Sequence, residues 1–204
     1  MCNLYRMNQS RTEVADFFSA IGADMRVAPG NSPAEIYPGY PGLVLADRRI
    51  QQMNWGFPLA RKGAKGQPLK PKPVNNARSD KLGSPFWSAS FKSRRCLIPV
   101  SEFAEAEGEK GAKTRTWFTL PDTPLFAIAG LWRDTAEWGP AYTMVITGAN
   151  AQMRSVHHRM PVIIPPENWQ QYLGDDPQAA FDLCQPYAGD MIMTRTDVPW
   201  AGHR

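Results

Sequence analysis

The chain has 204 residues, of which 43% are hydrophobic and 21% charged, a composition typical of a globular protein with one sizeable core. It contains no apolar run of the ~20 residues that a membrane-spanning helix needs and no signal-peptide pattern, so we expect a cytoplasmic protein without a membrane partner. Its three cysteines lack metal-ligand spacing, which argues against a disulfide framework or a zinc site, and we expect neither a metal nor a cofactor.

The net charge is only +4, but the basic residues are unevenly distributed along the chain. Between residues 61 and 100 there are ten Lys or Arg and a single acid, Asp80. Aromatic residues, Trp87 among them, are interleaved with these charges. The combination is typical of a groove that binds single-stranded nucleic acid through phosphate neutralisation and base stacking. From the charges alone, a solvated basic surface is at least as good an interpretation.

An amphipathic helix and several short strands are predicted for the first part of the chain. Ser10 and Glu13 form a capping box, and apolar residues follow at helical spacing, which predicts a helix over 11–21 with Gly22 at its end. Turns rich in proline and glycine then separate strands predicted at residues 34–37, 43–45 and 50–55.

The segment 61–73 interrupts this pattern, because it contains five Lys or Arg and three prolines but has no apolar periodicity. We interpret it as an exposed basic loop that stays mobile unless a polyanion orders it. Ser84 and Pro85 then predict the start of a helix over 85–93.

The second half of the chain predicts strands with a few peripheral helices. Glu105 lies on a strand that leads into a hairpin turn. Strands are predicted at residues 96–100, 115–120, 126–132, 142–147, 162–164 and 191–194, and short helices at 150–156, 165–173 and 178–183. We therefore predict a single α+β domain over residues 1–204, mainly antiparallel sheet curled into a barrel-like core with peripheral helices.

Cys2 carries the most distinctive chemistry of the chain. A small residue at position 2 allows removal of Met1, which leaves an α-amine and a thiol on adjacent carbons. Their ordinary pKa values, ~8 and ~8.5, leave both groups partly nucleophilic at neutral pH. The amine can form a Schiff base with an aldehyde, and the thiol can close it to a thiazolidine ring. The simpler interpretation is a small apolar residue at the start of a strand.

A set of motifs occurs in a fixed order along the chain: Met1-Cys2, Trp55-Gly56, Asn76-Ala77-Arg78, Arg95 through Pro99, Glu105, Phe126-Ala127 with Gly130-Leu131-Trp132, and His157 through Val162. The ordered set resembles the SRAP family, the SOS-response-associated peptidases that crosslink to abasic sites in DNA. The resemblance implies the fold of that family and single-stranded DNA with abasic sites as the partner. It also implies peptidase activity that removes Met1 and lyase-type reversal of the crosslink. Nothing in the sequence requires more than a monomer.

The resemblance implies a catalytic role for four residues. Cys2 would form the crosslink, and Asn76 would help to hold the N-terminus and the sugar. Glu105 would be the general acid and base, and His157 would protonate or polarise the sugar oxygen during ring opening. Taken alone, Glu105 is also a candidate for pairing with Lys113 or Arg115 across the hairpin, and His157 is more often a structural histidine.

The DNA-binding surface implied by the resemblance centres on two arginines. Arg78 and Arg159 would bind phosphates that flank the lesion, because a guanidinium matches the geometry of a phosphate. Lys70 and Lys72, from the basic segment, would extend this surface, as would Trp87, which could equally be a core residue. A salt bridge from Arg78 to Asp80 or another acid is the structural alternative.

The chain departs from the family pattern around the predicted site. Asn3 and Leu4 replace a glycine and an arginine after the cysteine, which removes one basic contact near the lesion. His158 replaces a frequent aspartate, so we expect the pKa of the neighbouring His157 not to be raised. Alanines at positions 104 and 106 replace aromatic residues, which predicts different packing or a looser pocket beside the glutamate.

Two other classes of protein remain as alternatives. An N-terminal-nucleophile hydrolase also begins with Met-Cys, although the glycine that usually follows is Asn3 here and the basic segment has no role in amide hydrolysis. A non-enzymatic module that binds single-stranded DNA would use the basic segment and would keep its affinity without Cys2.

Overall fold

The computed structural model of the protein describes residues 2–21 and 33–200. Strands are the predominant secondary structure of this part of the chain. They are β1 (Leu4–Arg6), β2 (Glu35–Ile36), β3 (Pro41–Ala46), β4 (Arg49–Trp55), β5 (Phe57–Lys62), β6 (Pro68–Val74), β7 (Asn76–Arg78), β8 (Arg95–Val100), β9 (Glu102–Glu107), β10 (Thr114–Thr119), β11 (Phe126–Thr135), β12 (Gly139–Gly148), β13 (Arg159–Pro161), β14 (Ile163–Ile164) and β15 (Ile192–Pro199).

Five of these strands close into a barrel in the order β12-β4-β3-β8-β11, since β11 also pairs with β12. Four of the five pairings are antiparallel, and β4 runs parallel to β12. The continuous apolar runs of the sequence form these strands, because the barrel buries their side chains against the core and the packed helices. Gly130 permits a close approach here, since a Cβ at this position would lie 2.7 Å from the Cys96 Sγ. The predicted barrel-like core with mainly antiparallel sheet is confirmed.

A second sheet, in the order β15-β10-β9-β1-β2, holds the N-terminal strand. Strand β1 pairs with β9 so that Leu4 lies opposite Ala104 and Tyr5 lies opposite Phe103. Cys2 therefore precedes a strand whose neighbour carries Glu105, one residue beyond Ala104. This register is what brings the N-terminus to the predicted general acid.

The helices pack outside the barrel, as predicted. They are α1 (Arg11–Phe18), α2 (Ser88–Ser93), α3 (Trp169–Leu173) and α4 (Pro177–Asp182). The capping box of α1 is confirmed: the Ser10 Oγ accepts from the Glu13 N–H, and the Glu13 carboxylate accepts from the Ser10 N–H. Gly22, predicted to end this helix, lies outside the described residues. The helix predicted at 150–156 is a single 3₁₀ turn over Met153–Ser155.

The segment predicted as a mobile loop is a β-hairpin, so that prediction was wrong. Among the described residues, strands β5 and β6 pair only with each other, and they are joined by a turn in which Gly66 adopts a φ of +78°. Phe57 and Pro58 are buried at the base of the ribbon, whereas Leu59 and Leu69 are 44% and 40% exposed. Beyond that base there is no buried face to select for alternating apolar residues, and the prolines of β6 are tolerated because a ribbon strand has one free edge.

Within the described ranges, no helix is both long enough and apolar enough to span a membrane.

Candidate active site and DNA-binding surface

Two asparagine amides hold the backbone of Cys2. The Nδ2 of Asn76 donates to the Cys2 carbonyl oxygen at 2.8 Å, and the Nδ2 of Asn75 donates to the same oxygen at 3.0 Å. Asn75 also donates to the Oδ1 of Asn3 at 2.9 Å. Residue 3 therefore contributes a side-chain acceptor that a glycine lacks. Asn75 was absent from the predicted site residues, although it directly precedes the motif that contains Asn76.

The barrel fixes the position of these asparagines. Strand β7 runs parallel to β12, with Asn76 opposite Met144. The Asn75 carbonyl oxygen accepts from the Met144 N–H and from the indole N–H of Trp55, both at 3.0 Å. Trp55 is fully buried and packs edge-on against Tyr5. The contact to Cys2 is thus anchored in the core rather than on a flexible loop.

The Cys2 side chain is 1% exposed, and its Sγ lies 3.6 Å from the Leu4 carbonyl oxygen. Burial raises the pKa of this thiol well above its ordinary value, and the nearby charge of Glu105 raises it further. The sulfur is therefore a protonated thiol at neutral pH. The other two cysteines, Cys96 and Cys184, are buried as predicted, and burial raises the pKa of both.

Glu105 is a buried acid on β9, opposite Thr116 of β10, with 3% of its surface exposed. Burial raises the pKa of its carboxyl group to about 7, and the positive charge of Lys113 acts in the opposite direction. Arg115 does not pair with it, since that guanidinium donates to Glu35 at 3.0 Å. A carboxyl group with this pKa exists in both protonation states near neutral pH, as an acid–base catalyst requires.

His157 is half-buried, and its ring orientation is fixed by the backbone. The Nδ1 of His157 lies 3.0 Å from the Arg159 backbone nitrogen and 3.1 Å from the Arg159 carbonyl oxygen. Burial lowers the pKa of His157, and the positive charges of Lys113 and Arg159 lower it further. The expectation that its pKa is not raised is therefore confirmed, and the imidazole is mainly neutral at neutral pH.

Arg78 and Arg159 meet at one carboxylate. Arg78 binds Asp80 in a bidentate manner, with 3.0 Å from Nε to Oδ1 and 2.5 Å from Nη2 to Oδ2. The Nη1 of Arg159 lies 3.8 Å from the same Oδ1. The alternative interpretation of Arg78 as a salt-bridge partner of Asp80 is therefore correct for the DNA-free protein. Sequence reasoning had not connected Arg159 with this pair.

The remaining predicted DNA-binding residues fall into two groups. Lys70 and Lys72 lie exposed on β6, whose end leads directly into Asn75. Trp87 is only 7% exposed and packs against Phe57 and Phe86, with the Phe86 ring 4.5 Å away. Its assignment as a stacking platform is corrected, because a ring enclosed by two aromatic neighbours offers no free face to a base.

The departures at positions 4 and 104 are structurally linked. Leu4 is fully buried and forms a small apolar cluster with Ala104 and Trp117. Because Leu4 and Ala104 lie opposite each other on paired strands, the small alanine leaves room for the leucine. Leu4 and Trp117 fill the space beside Ala104, whereas the different packing or looser pocket around Glu105 stays a prediction.

Known proteins resemble this chain over most of its length. The family model for SOS response associated peptidase (SRAP) matches residues 1–198. Abasic site processing protein YoqW of Bacillus subtilis is 34% identical over 154 residues, which cover 71% of this chain and 67% of that protein. Abasic site processing protein YobE of the same organism is 31% identical over 154 residues, covering 71% and 69%.

Solved structures show the same fold. A protein from Bordetella bronchiseptica superposes with a TM-score of 0.78 at 24% identity, covering 96% of this chain and 99% of that one. A protein from Bacteroides thetaiotaomicron gives a TM-score of 0.77 at 19% identity, covering 95% and 91%. The family match over nearly the whole chain is decisive, and this protein belongs to the SOS response associated peptidase (SRAP) family.

Proposed function

We propose that this protein processes abasic sites in single-stranded DNA by capturing them covalently through Cys2. The names of the Bacillus subtilis relatives support the class of substrate. The observation that carries the proposal is the double amide contact to the Cys2 carbonyl oxygen, next to the buried acid Glu105. If Cys2 were only an apolar residue at the start of a strand, it would need neither the two hydrogen bonds to its carbonyl oxygen nor the adjacent acid.

The proposed reaction conserves atoms without an external oxidant or reductant. Hydrolysis of the Met1–Cys2 peptide bond frees the α-amine, whose lone pair attacks the aldehyde carbon of the opened deoxyribose. The resulting carbinolamine loses water to give an imine. The thiol then adds across the C=N bond, so that sulfur binds carbon and the thiol proton moves to nitrogen. The product is a thiazolidine that links the protein to DNA.

The state of the thiol determines the order of these steps. Because the pKa of Cys2 is raised, the sulfur is not a competing thiolate nucleophile when the aldehyde arrives. The amine therefore attacks first, and the thiol supplies its own proton when it closes the ring. This order needs no separate acid for the last step.

Glu105 is the proposed acid–base catalyst. With a pKa of about 7, it accepts a proton from the attacking amine and returns one to the departing hydroxyl group. The same group can activate water for removal of Met1, which is the proposed peptidase activity, and can reverse the crosslink, which is the lyase-type activity. General acid–base groups of this kind typically contribute about 10²- to 10⁴-fold to a rate.

His157 and Asn76 are proposed to bind the sugar. An N–H group of the neutral His157 imidazole would donate to the ring oxygen of the sugar during opening. The Oδ1 of Asn76 is buried and has no hydrogen-bond partner among the described residues, so it is suited to accept from a sugar hydroxyl group. Arg78 and Arg159 would hold the flanking phosphates, and Lys70 and Lys72 would extend the contact along the strand.

A denaturing-gel crosslinking assay tests this function. Protein whose Cys2 N-terminus is verified by mass spectrometry is mixed with a single-stranded oligonucleotide that carries one abasic site. We expect a heat-stable shifted band, and no band with Cys2→Ala or with an undamaged strand. Glu105→Gln and His157→Ala should slow its formation.

Two results would contradict the proposal. If verified wild-type protein forms no band, the covalent mechanism is wrong for this chain. If Cys2→Ala binds the strand as well as the wild type and neither becomes attached, the protein is a non-enzymatic binding module. Hydrolysis of a peptide or glutamine substrate without DNA would instead favour the N-terminal-nucleophile class.

A further inference from the structure

The position of Asp80 has a consequence for DNA binding. Among residues 61–100, ten are basic and Asp80 is the single acid. In the fold this one carboxylate lies against Arg78 and Arg159, the two arginines proposed to bind phosphates. The exposed fraction of its side chain is 47%, so solvent and ligands can reach it.

The contact reproduces how arginine binds a phosphate. Arg78 uses Nε and Nη2 toward the two carboxylate oxygens, at 3.0 and 2.5 Å, which is the two-pronged geometry that guanidinium groups also make with phosphate oxygens. The two residues hold each other in their charged forms, since hydrogen bonding raises the pKa of Arg78 and lowers the pKa of Asp80. The Asp80 carboxylate is therefore a full anion at neutral pH.

Strand pairing explains why two arginines lie close to one acid. Arg78 lies opposite Ile146 on one side of β12, and Arg159 lies opposite Gly148 on the other side. Asp80 follows Arg78 within a 3₁₀ turn, Ser79–Lys81, in which the Ser79 hydroxyl donates to the Thr147 Oγ1 of β12 at 3.2 Å. The arginines are fixed by strand pairing, whereas the acid sits on a short exposed turn and can rotate away.

We propose that Asp80 occupies the position of a DNA phosphate and competes with the strand for Arg78 and Arg159. This inference rests on the proposed function, which assigns those arginines to phosphates. Asp80 keeps the two guanidinium groups oriented in the DNA-free protein and weakens binding to intact strands. Release from undamaged DNA is thereby favoured, while a captured abasic site stays attached through its covalent bond.

The test measures binding of an undamaged single-stranded oligonucleotide by fluorescence anisotropy at several salt concentrations. Asp80→Asn removes the charge and keeps the shape, so we expect affinity to increase about two- to five-fold, the range of an exposed ion pair. The salt dependence should steepen by about 0.7 in the logarithmic slope, as for one additional neutralised phosphate. In an Arg78→Ala background, Asp80→Asn should increase affinity less than it does in the wild type, because only Arg159 is then released.

Asp134→Asn is the matched control. Asp134 is exposed and lies opposite Pro140, roughly 20 Å along β12 from Ile146 at ~3.3 Å per residue, and it carries the same charge. An equal gain in both variants would show a general effect of net charge and would overturn the proposal. An affinity of Asp80→Asn that is unchanged or weaker would overturn it too, because a competitor cannot aid binding.

Further measurements separate the possible failures. Asp80→Ser is a second variant that removes the charge. A thermal unfolding curve for each variant establishes that a changed affinity does not come from misfolding. The crosslinking assay at saturating protein is performed in parallel. A normal crosslink with no gain from Asp80→Asn contradicts only the competition, whereas a gain in affinity without any crosslink contradicts the proposed function and leaves the competition supported.

Discussion

The side-chain amide of Asn76 donates a hydrogen bond to the carbonyl oxygen of Cys2, 2.8 Å away and 74 residues distant in the chain. Asn75 makes a second bond to the same oxygen. These bonds join the N-terminal segment to the end of the basic hairpin. The residue that carries the proposed nucleophiles is thus positioned by a part of the barrel that is itself immobilised through Trp55 and Met144.

Substitution of the asparagines should reduce the rate of capture more than it reduces binding. Asn76→Ala removes one hydrogen bond and should cost about 1 kcal/mol of stability. Because the amine would then be held less firmly, we expect crosslinking at saturating protein to slow by at least ten-fold, with little change in affinity for an undamaged strand. Single-turnover gels and anisotropy measure the two quantities. Asn54→Ala, which loses a bond to the Trp138 carbonyl oxygen, is the matched control.

Glu105 should make the stability of the protein depend on pH. Its folded pKa of about 7 lies above the ordinary value of 4.5, so the folded state binds this proton more tightly than the unfolded state. The contribution of Glu105 to the free energy of unfolding should therefore be largest below pH ~4.5. It should decrease as the pH rises from ~4.5 to about 7 and stay constant at higher pH. Over this range the loss is about 2–4 kcal/mol.

Urea unfolding of the wild type and Glu105→Gln at pH 5 and pH 8 checks this expectation. The glutamine cannot ionise, so the variant should lose most of the difference between the two pH values and be the more stable protein at pH 8. A wild type whose stability is the same at both values would contradict the raised pKa. Glu109→Gln, on the exposed hairpin turn, is the control.

The lysines of the hairpin should contribute to affinity through phosphate contacts alone. Lys70→Ala and Lys72→Ala should each reduce the logarithmic salt slope for single-stranded DNA by about 0.7, and by about 1.4 together. The rate of crosslinking at saturating protein should stay unchanged, because neither residue touches Cys2. Anisotropy titrations across a salt series supply the slopes. Lys92→Ala, on α2, should leave the slope unaltered, and an equal decrease there would contradict a specific role of the hairpin.

Trp87 should prove to be a core residue. Its ring packs against Phe57 and Phe86, so Trp87→Ala should cost about 3–5 kcal/mol of stability by leaving a cavity. Trp87→Phe should keep much of the packing and bind DNA like the wild type. Chemical unfolding measures the stability of both variants, and fluorescence anisotropy measures their affinity for single-stranded DNA. A Phe variant of normal stability that binds DNA much more weakly would restore the role as a stacking platform.

Local signals in the sequence determined much of the scaffold. The capping box at Ser10 and Glu13 specifies its helix through contacts within one turn. The buried strands at 96–100, 126–132 and 142–147 follow from continuous apolar runs, which the barrel requires. The candidate residues around Cys2 came from the order of the family motifs, because no local pattern indicates that Cys2, Asn76 and Glu105 converge in the fold.

Tertiary structure alone decided three other features. Beyond Phe57 and Pro58 at its base, the hairpin over 57–74 has no buried face, so its sequence carries no alternating pattern from which a strand is recognised. Trp87 looks the same in sequence whether its ring faces a base or Phe57, since burial depends on residues distant in the chain. Arg78 and Arg159 lie together at Asp80 because β7 and β13 pair with opposite sides of β12. Pairing between strands that are so far apart in the sequence is set by the packing of the whole barrel.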